Sequence, residues 1–183
     1  MDKQKNRVLL DADSIPYIIC HCKRLVDDSG LDYLKDDLGN PRLEEKTWEQ
    51  VKSATDSYLL NIFLSTQATH YLGALTVGKV NPRYKIYPEY KANRKNLVKP
   101  AHFDRCKEYL ITEYGFVWDF NLEADDIINI CREPGDIIAS QDKDLLFLEG
   151  RHYNLKKNEF LNVNAKQANY EFWRSMCVGK SIA

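Results

Sequence analysis

The chain has 183 residues, of which 44% are hydrophobic, 29% charged and 11% aromatic, a composition that fits one soluble globular domain with a buried core. Its formal net charge of −1 excludes a polycation, so any nucleic-acid binding must rest on local segregation of charge. No apolar run approaches the roughly 20 residues of a membrane span. The opening MDKQKNRVLL lacks a signal-peptide apolar region.

In chain order, Arg7–Asp11 (RVLLD) is a short apolar run ending in an acid, the pattern of a buried strand with a carboxylate at its carboxyl tip. Asp13 or Ser14 can cap the following segment, and Pro16 in a first-turn position predicts a helix over Pro16–Leu25. Asp27–Glu45, rich in charge and containing DLGNP, reads as an exposed loop. Thr47–Gln67 is a helix: Trp48, Val51, Thr55, Tyr58, Leu59, Ile62 and Phe63 recur at helical spacing on one face. His70–Thr76 reads as a second strand, Pro100–Tyr114 as a helix and Phe116–Phe120 as a third strand. Glu123–Arg132 comes next as a helix, EPGD as a turn and Asp136–Ser140 as a fourth strand. A short helix runs to Leu148, a weak hairpin spans Tyr153–Asn162, and a last helix covers Ala165–Cys177.

Five cysteines (Cys20, Cys22, Cys106, Cys131 and Cys177) are an odd number without framework spacing and read as reduced thiols in a cytosolic protein. Cys20-His21-Cys22 lacks the second ligand pair of a structural zinc site, so it reads as a helix with packed thiols.

Strands alternating with helices predict an α/β fold with a mostly parallel central sheet flanked by helices. Ligands of such sheets bind beyond the carboxyl ends of the strands. Asp11 and Asp13 follow the first strand, Glu123, Asp125 and Asp126 the third, and Asp142 and Asp144 the fourth. Any one of these acids alone could be a helix cap. Together, seven carboxylates at one sheet edge raise each other's pKa, a penalty that a divalent cation removes. Oxygen-only ligation suits Mg²⁺ or Mn²⁺, which shares its coordination with substrate phosphate. The chain has no GxxxxGK[ST] loop and no GxGxxG, so readings that need a nucleotide fuel are weak.

Between Lys79 and Lys99, seven basic residues (Lys79, Arg83, Lys85, Lys91, Arg94, Lys95 and Lys99) face one acid, Glu89. Tyr84, Tyr87 and Tyr90 interleave with them, a mixture suited to holding a single strand through stacking and phosphate contacts. A solvated loop of scattered charge is the plainer alternative.

The stretches RVLLDADS, PEYKANRK, EADDIINI and ASQDKDLLFL occur in the order seen in 5′-nucleases of the flap endonuclease superfamily. The chain resembles most the phage 5′→3′ exonucleases and the 5′-nuclease domain of bacterial DNA polymerase I, over about Arg7 to Lys180. The resemblance implies a PIN-like/5′-nuclease fold with a basic helical arch, forming a single catalytic domain over 1–183. It also implies metal-dependent hydrolysis of phosphodiesters near 5′ ends, flaps or nicks of DNA, or at RNA primers in RNA:DNA hybrids, during replication. Two Mg²⁺ (or Mn²⁺) ions would act in a monomer of the host cytoplasm, with a replication polymerase as a candidate partner.

Carried over by motif, Asp11, Glu123, Asp125 and Asp126 match the ligands of the first metal, and Asp142 and Asp144 match half of the second set. Asp13 matches either a supporting group or the cap of the first helix. Lys91 and Arg94 match the arch residues that contact the scissile phosphate, and Tyr90 matches the one that stacks on a terminal base. Lys95 and Arg83 match backbone contacts.

The chain also departs from the pattern. Thr76 stands near the place of an aspartate at the end of the second strand. After Gly179 the chain reads Lys180-Ser181-Ile182-Ala183 instead of Gly-Asp-x-x-Asp, so those aspartates are either replaced or lie beyond Ala183, and the helix-hairpin element that grips duplex DNA is not seen. Three readings stay open: an active nuclease, a catalytically impaired nucleic-acid- or protein-binding derivative of the same fold, and a minimal PIN-type ribonuclease, against which the YKANR element argues.

Overall fold

The structure is a computed structural model that describes residues 6–24, 34–78 and 98–177. Its centre is a five-stranded sheet of β1 (Arg7–Asp11), β4 (His70–Ala74), β5 (Ile137–Ser140), β6 (Gly150–Asn154) and β7 (Glu159–Val163), in spatial order β4-β1-β5-β6-β7. β4, β1, β5 and β6 run parallel, and β7 returns antiparallel beside β6. A two-stranded ribbon, β2 (Lys23–Arg24) with β3 (Leu43–Glu44), lies apart from it.

Strand alternation divides the core into two. Val8, Leu10, Ile137 and Ala139 point to one face, where α1 (Ile15–Cys20), α2 (Trp48–Thr66) and α3 (Phe103–Tyr114) supply Ile15, Val51, Leu59, Cys106 and Leu110. Leu9, Ala74 and Ile138 point to the other face, against Ala124, Ile127 and Ile128 of α4 (Ala124–Cys131) and Leu145 of a 3₁₀ turn (Lys143–Phe147). Both faces are covered, as the nearly continuous apolar strands require. The last helix, α5 (Ala165–Cys177), packs against the 3₁₀ turn. Among the described residues, no helix is long and apolar enough to cross a membrane.

Local chemistry fixes several boundaries. Thr47 and Gln50 close a reciprocal capping box at the start of α2, and Gln67 ends that helix in the left-handed region. Gly115, at φ 65°, does the same for α3. Arg7 ties the opposite edge of the sheet together: its Nε and Nη2 grip Asp136 at 2.9 and 2.6 Å, and Nη2 also reaches the Cys131 carbonyl at 2.9 Å.

Three expectations need correction. The helix expected over Pro16–Leu25 ends at Cys20, because His21 turns extended and Lys23–Arg24 pair with Leu43–Glu44 instead. Lys46 Nζ donates to the Ile19 carbonyl at 2.6 Å, satisfying an acceptor of that last turn. Phe116–Phe120 is not a strand: Val117 makes one parallel bridge to Ala74, and Asp119 then accepts from the Asn121 N–H and bends the chain away. The short helix expected to reach Leu148 is a 3₁₀ turn ending at Phe147. The other expected elements lie within a few residues of their predicted bounds, and Ala165–Cys177 matches at both ends. The region expected to form the basic helical arch lies outside the described residues, apart from Lys99.

Candidate active site at the carboxyl edge of the sheet

The parallel strands β1, β4 and β5 end side by side, with Asp11 opposite Ala74 and Leu10 opposite Ala139. Their exits therefore carry Asp11, Thr76 and Ser140 to one edge. Ser140 Oγ links two of the acids, donating to Asp11 Oδ2 at 2.8 Å and accepting from the Asp142 N–H at 2.9 Å. Asp11 Oδ1 also accepts from the Asp13 N–H at 3.3 Å. Burial pushes the Asp11 carboxyl up to about 6, with the negative charges of Asp13 and Asp142 adding to the shift against the hydrogen bonds from Ser140 and Asp13. Asp11 thus feels the charges of both Asp13 and Asp142.

Asp13 does not cap α1. The residue at the cap is Ser14, which makes no side-chain cap bond. Asp13 instead receives both donors of Thr76, N–H at 2.7 Å and Oγ1–H at 2.5 Å, clamping the β1 exit to the β4 exit. Thr76 Oγ1 in turn accepts from the Ala124 N–H at 3.0 Å, which draws in the N-terminus of α4. Lys107, on α3, donates to the Thr76 carbonyl at 2.6 Å and stands 3.9 Å from Asp13 Oδ1.

The remaining acids serve helix starts. Asp126 Oδ2 accepts from the Glu123 N–H at 3.0 Å in the pattern of a capping box, with Glu123 itself 6% exposed. Asp125 Oδ1 accepts from the Asp126 N–H at 2.9 Å, and Asp142 Oδ1 caps the 3₁₀ turn through the Asp144 N–H at 2.9 Å. Among the described residues, no three of His, Cys, Asp and Glu stand close enough together to hold a metal ion. The acids linked here, Asp11 and Asp142 through Ser140 and Asp13 through Thr76, therefore do not form a finished cage. A hard cation nevertheless suits the donors at Asp11: they are oxygens, and the like charge raising that carboxyl is what a cation relieves. Magnesium takes only one or two carboxylates where waters and phosphate complete its shell.

Tyr90, Lys91, Arg94, Lys95 and Arg83 lie outside the described residues, as do residues 178–183. Sequence reasoning missed Lys107, although it sits on the helical stripe of Phe103, Cys106 and Leu110, where a buried apolar residue would be ordinary. It also missed Ser140, whose only signal is a hydroxyl at the end of a strand that otherwise reads as apolar.

No protein-family model matches the chain, and no curated protein does. Solved structures do. A pseudo-enzyme–product complex of the bacteriophage T5 D15 flap endonuclease with DNA and metal ions superposes with a TM-score of 0.54 at 16% identity, covering 94% of this chain and 59% of that one. The T5 D15 protein co-crystallised with metal ions gives 0.54 at 16% identity, covering 86% of this chain and 57% of that one. The chain thus spans less than two thirds of the length of either structure. With its parallel β4-β1-β5-β6 core and acids at the strand exits, the chain has the 5′-nuclease (flap endonuclease) fold.

Proposed function

We propose that the chain is a metal-dependent 5′→3′ exonuclease or flap endonuclease, hydrolysing phosphodiesters near the 5′ ends of DNA or of RNA primers. The observation that carries the reading is the half-buried Asp11 carboxyl, raised by desolvation and by the charges of Asp13 and Asp142 at the carboxyl edge of the parallel sheet. Asp11 would hold one Mg²⁺ or Mn²⁺ directly, with Glu123, Asp125 and Asp126 reaching it through bound waters, and Asp142 with Asp144 would contribute to a second. The metal would supply Lewis acidity and an activated water at the phosphate. The protein's own part is positional: Ser140 orients the Asp11 carboxylate, and Thr76 fixes Asp13 beside it. Lys91 and Arg94 would hold the phosphate, and Tyr90 would stack on a terminal base.

A second reading, a nucleic-acid- or protein-binding derivative without catalysis, is favoured by Thr76, whose hydroxyl occupies Asp13 where the resembled enzymes carry another acid. One experiment separates the two. The protein is incubated with 5′-flapped and nicked DNA in Mg²⁺, in Mn²⁺ and in chelator. Cation-dependent cleavage supports the nuclease. Retained binding without cleavage in any cation overturns it in favour of the derivative.

A further inference from the structure

The helix that carries Lys107 holds a second cation on the same aromatic ring. Lys107 Nζ lies 5.4 Å from the centroid of Phe103 and Lys99 Nζ lies 4.9 Å from it. Tyr17 of α1 closes the group, with its ring 4.5 Å from Phe103 and its surface 37% exposed. α1 leads directly from the Asp11–Asp13 exit, and Lys107 touches the Thr76 carbonyl, so this cluster borders the acidic edge. The acids facing it are Asp13, 3.9 Å from Lys107, and Asp104, 2.8 Å from Lys99.

The two lysines differ in how they are held. Lys107 has 18% side-chain exposure, and its ammonium is pushed down by burial and by Lys99 against the pull of Asp13. An ammonium has three N–H donors, and one of them is spent on the Thr76 carbonyl. At 3.9 Å, Asp13 Oδ1 attracts Lys107 without a hydrogen bond. Lys99 is about half exposed, and its pair with the 78% exposed Asp104 is of the kind that exchanges readily with solvent. Two ammonium groups brought together over one ring repel each other. An anion placed between them removes that repulsion and gives the remaining N–H donors of Lys107 an ionised acceptor.

We propose that Lys107 and Lys99, over Phe103, form a phosphate seat that holds the sugar–phosphate backbone of a nucleic-acid strand beside the acidic edge. This inference rests on the reading of that edge as a nucleic-acid site. Lys99 closes the basic run of the sequence and stands at the start of α3. Here the ring anchors the two cations, and Tyr17 is the neighbouring surface on which a base can stack.

The test is fluorescence anisotropy on a DNA duplex with a 5′ single-stranded overhang, in chelator and separately in Mg²⁺, over a salt series. Lys107→Gln keeps an amide donor for the Thr76 carbonyl but loses the charge, whereas Lys107→Arg keeps the charge. Lys99→Gln acts on the exposed side, where folding is not at stake. Each Gln variant is expected to bind about three- to tenfold more weakly and to lower the log–log salt slope by about 0.7, the increment of one single-strand phosphate contact. Lys107→Arg should stay within about twofold of the wild type. If Lys107 only struts α3 against β4, Lys107→Gln will bind like the wild type, and unchanged slopes in both Gln variants overturn the seat. If the wild type binds no DNA under either condition, the nucleic-acid reading of the edge fails as a whole, a different outcome from binding that ignores these lysines.

Discussion

The Thr76–Asp13 clamp gives the sharpest test of how this edge is built. Thr76→Val keeps the branching and nearly the volume of the side chain and removes one hydroxyl. That hydroxyl donates to Asp13 Oδ2 at 2.5 Å and accepts from the Ala124 N–H at 3.0 Å. A hydrogen bond to a charged group is worth about 1.5–3 kcal/mol, and an orphaned buried donor costs about 1–3 kcal/mol. Ala124 is 1% exposed, so its N–H has little access to replacement water. Asp13 keeps the Thr76 N–H at 2.7 Å and the attraction of Lys107, which holds the sum toward the lower end, at about 2–3 kcal/mol. Urea denaturation reads this directly: the midpoint should fall while the slope against denaturant stays constant. Thr76→Ser, which retains the hydroxyl and loses one methyl, should cost only about 0.8 kcal/mol. A valine variant within about 0.5 kcal/mol of the wild type would refute the clamp, since that is the scatter of ordinary surface substitutions.

Four further outcomes rest on other parts of the molecule. A Cβ added to Gly73 would meet the Phe116 ring at 2.5–2.6 Å, so Gly73→Ala should destabilise by about 1–3 kcal/mol in the same denaturation assay, and Phe116→Leu should recover part of the loss. His152 is buried with Nε2 2.8 Å from the Leu148 carbonyl; burial lowers its pKa from 6.5, opposed by that hydrogen bond and assisted by Arg132. Its folded-state value lies below the unfolded one, so its contribution is fully present above about pH 6.5 and is lost as the pH falls toward the folded value; His152→Gln should flatten that loss in midpoints compared at about pH 7.5 and 5.5. Asp11→Asn should raise the melting temperature in chelator by removing a half-buried charge that its acidic neighbours repel and should abolish most of the rise that Mg²⁺ gives the wild type; equal rises in both proteins would count against Asp11 as a ligand. If the chain cleaves DNA as proposed, Lys91→Ala should slow that cleavage, and unchanged rates would remove the arch assignment.

The fold is legible in the sequence because its signals are local and strong. RVLLD, HYLGA and IIAS are apolar runs bounded by turn residues, and Val51, Leu59 and Ile62 recur at helical spacing on α2. The errors fall where tertiary context decides. Lys23–Arg24 leave a plausible helix for a ribbon partner that is distant in sequence, Leu43–Glu44. The residues of Phe116–Phe120 are β-prone, but the aspartate two positions before Asn121 ends the pairing after one bridge. At the site, the exits of β1 and β5 and the acids that follow them can be placed from sequence, whereas the strand expected before Glu123 does not form. What each carboxylate touches cannot be placed so, because Asp13 meets Thr76 across 63 residues and Asp11 meets Ser140 across 129.

Capping and metal ligation are not competing uses of these acids. An ionised carboxylate offers about four lone-pair sites, and a cap occupies one of them. Asp126 gives Oδ2 to the Glu123 N–H and Asp142 gives Oδ1 to the Asp144 N–H, and each bond fixes the orientation of its carboxylate. Caps of this kind do for a carboxylate what a second hydrogen bond does for a ligating histidine, holding it where a cation can find it. Asp11 differs from these two. It is half-buried, feels the charges of Asp13 and Asp142, and is held by Ser140 and by the Asp13 N–H instead of capping a helix. A charge placed at that cost, where asparagine would fill the same space without it, is better explained by what it binds than by what it stabilises.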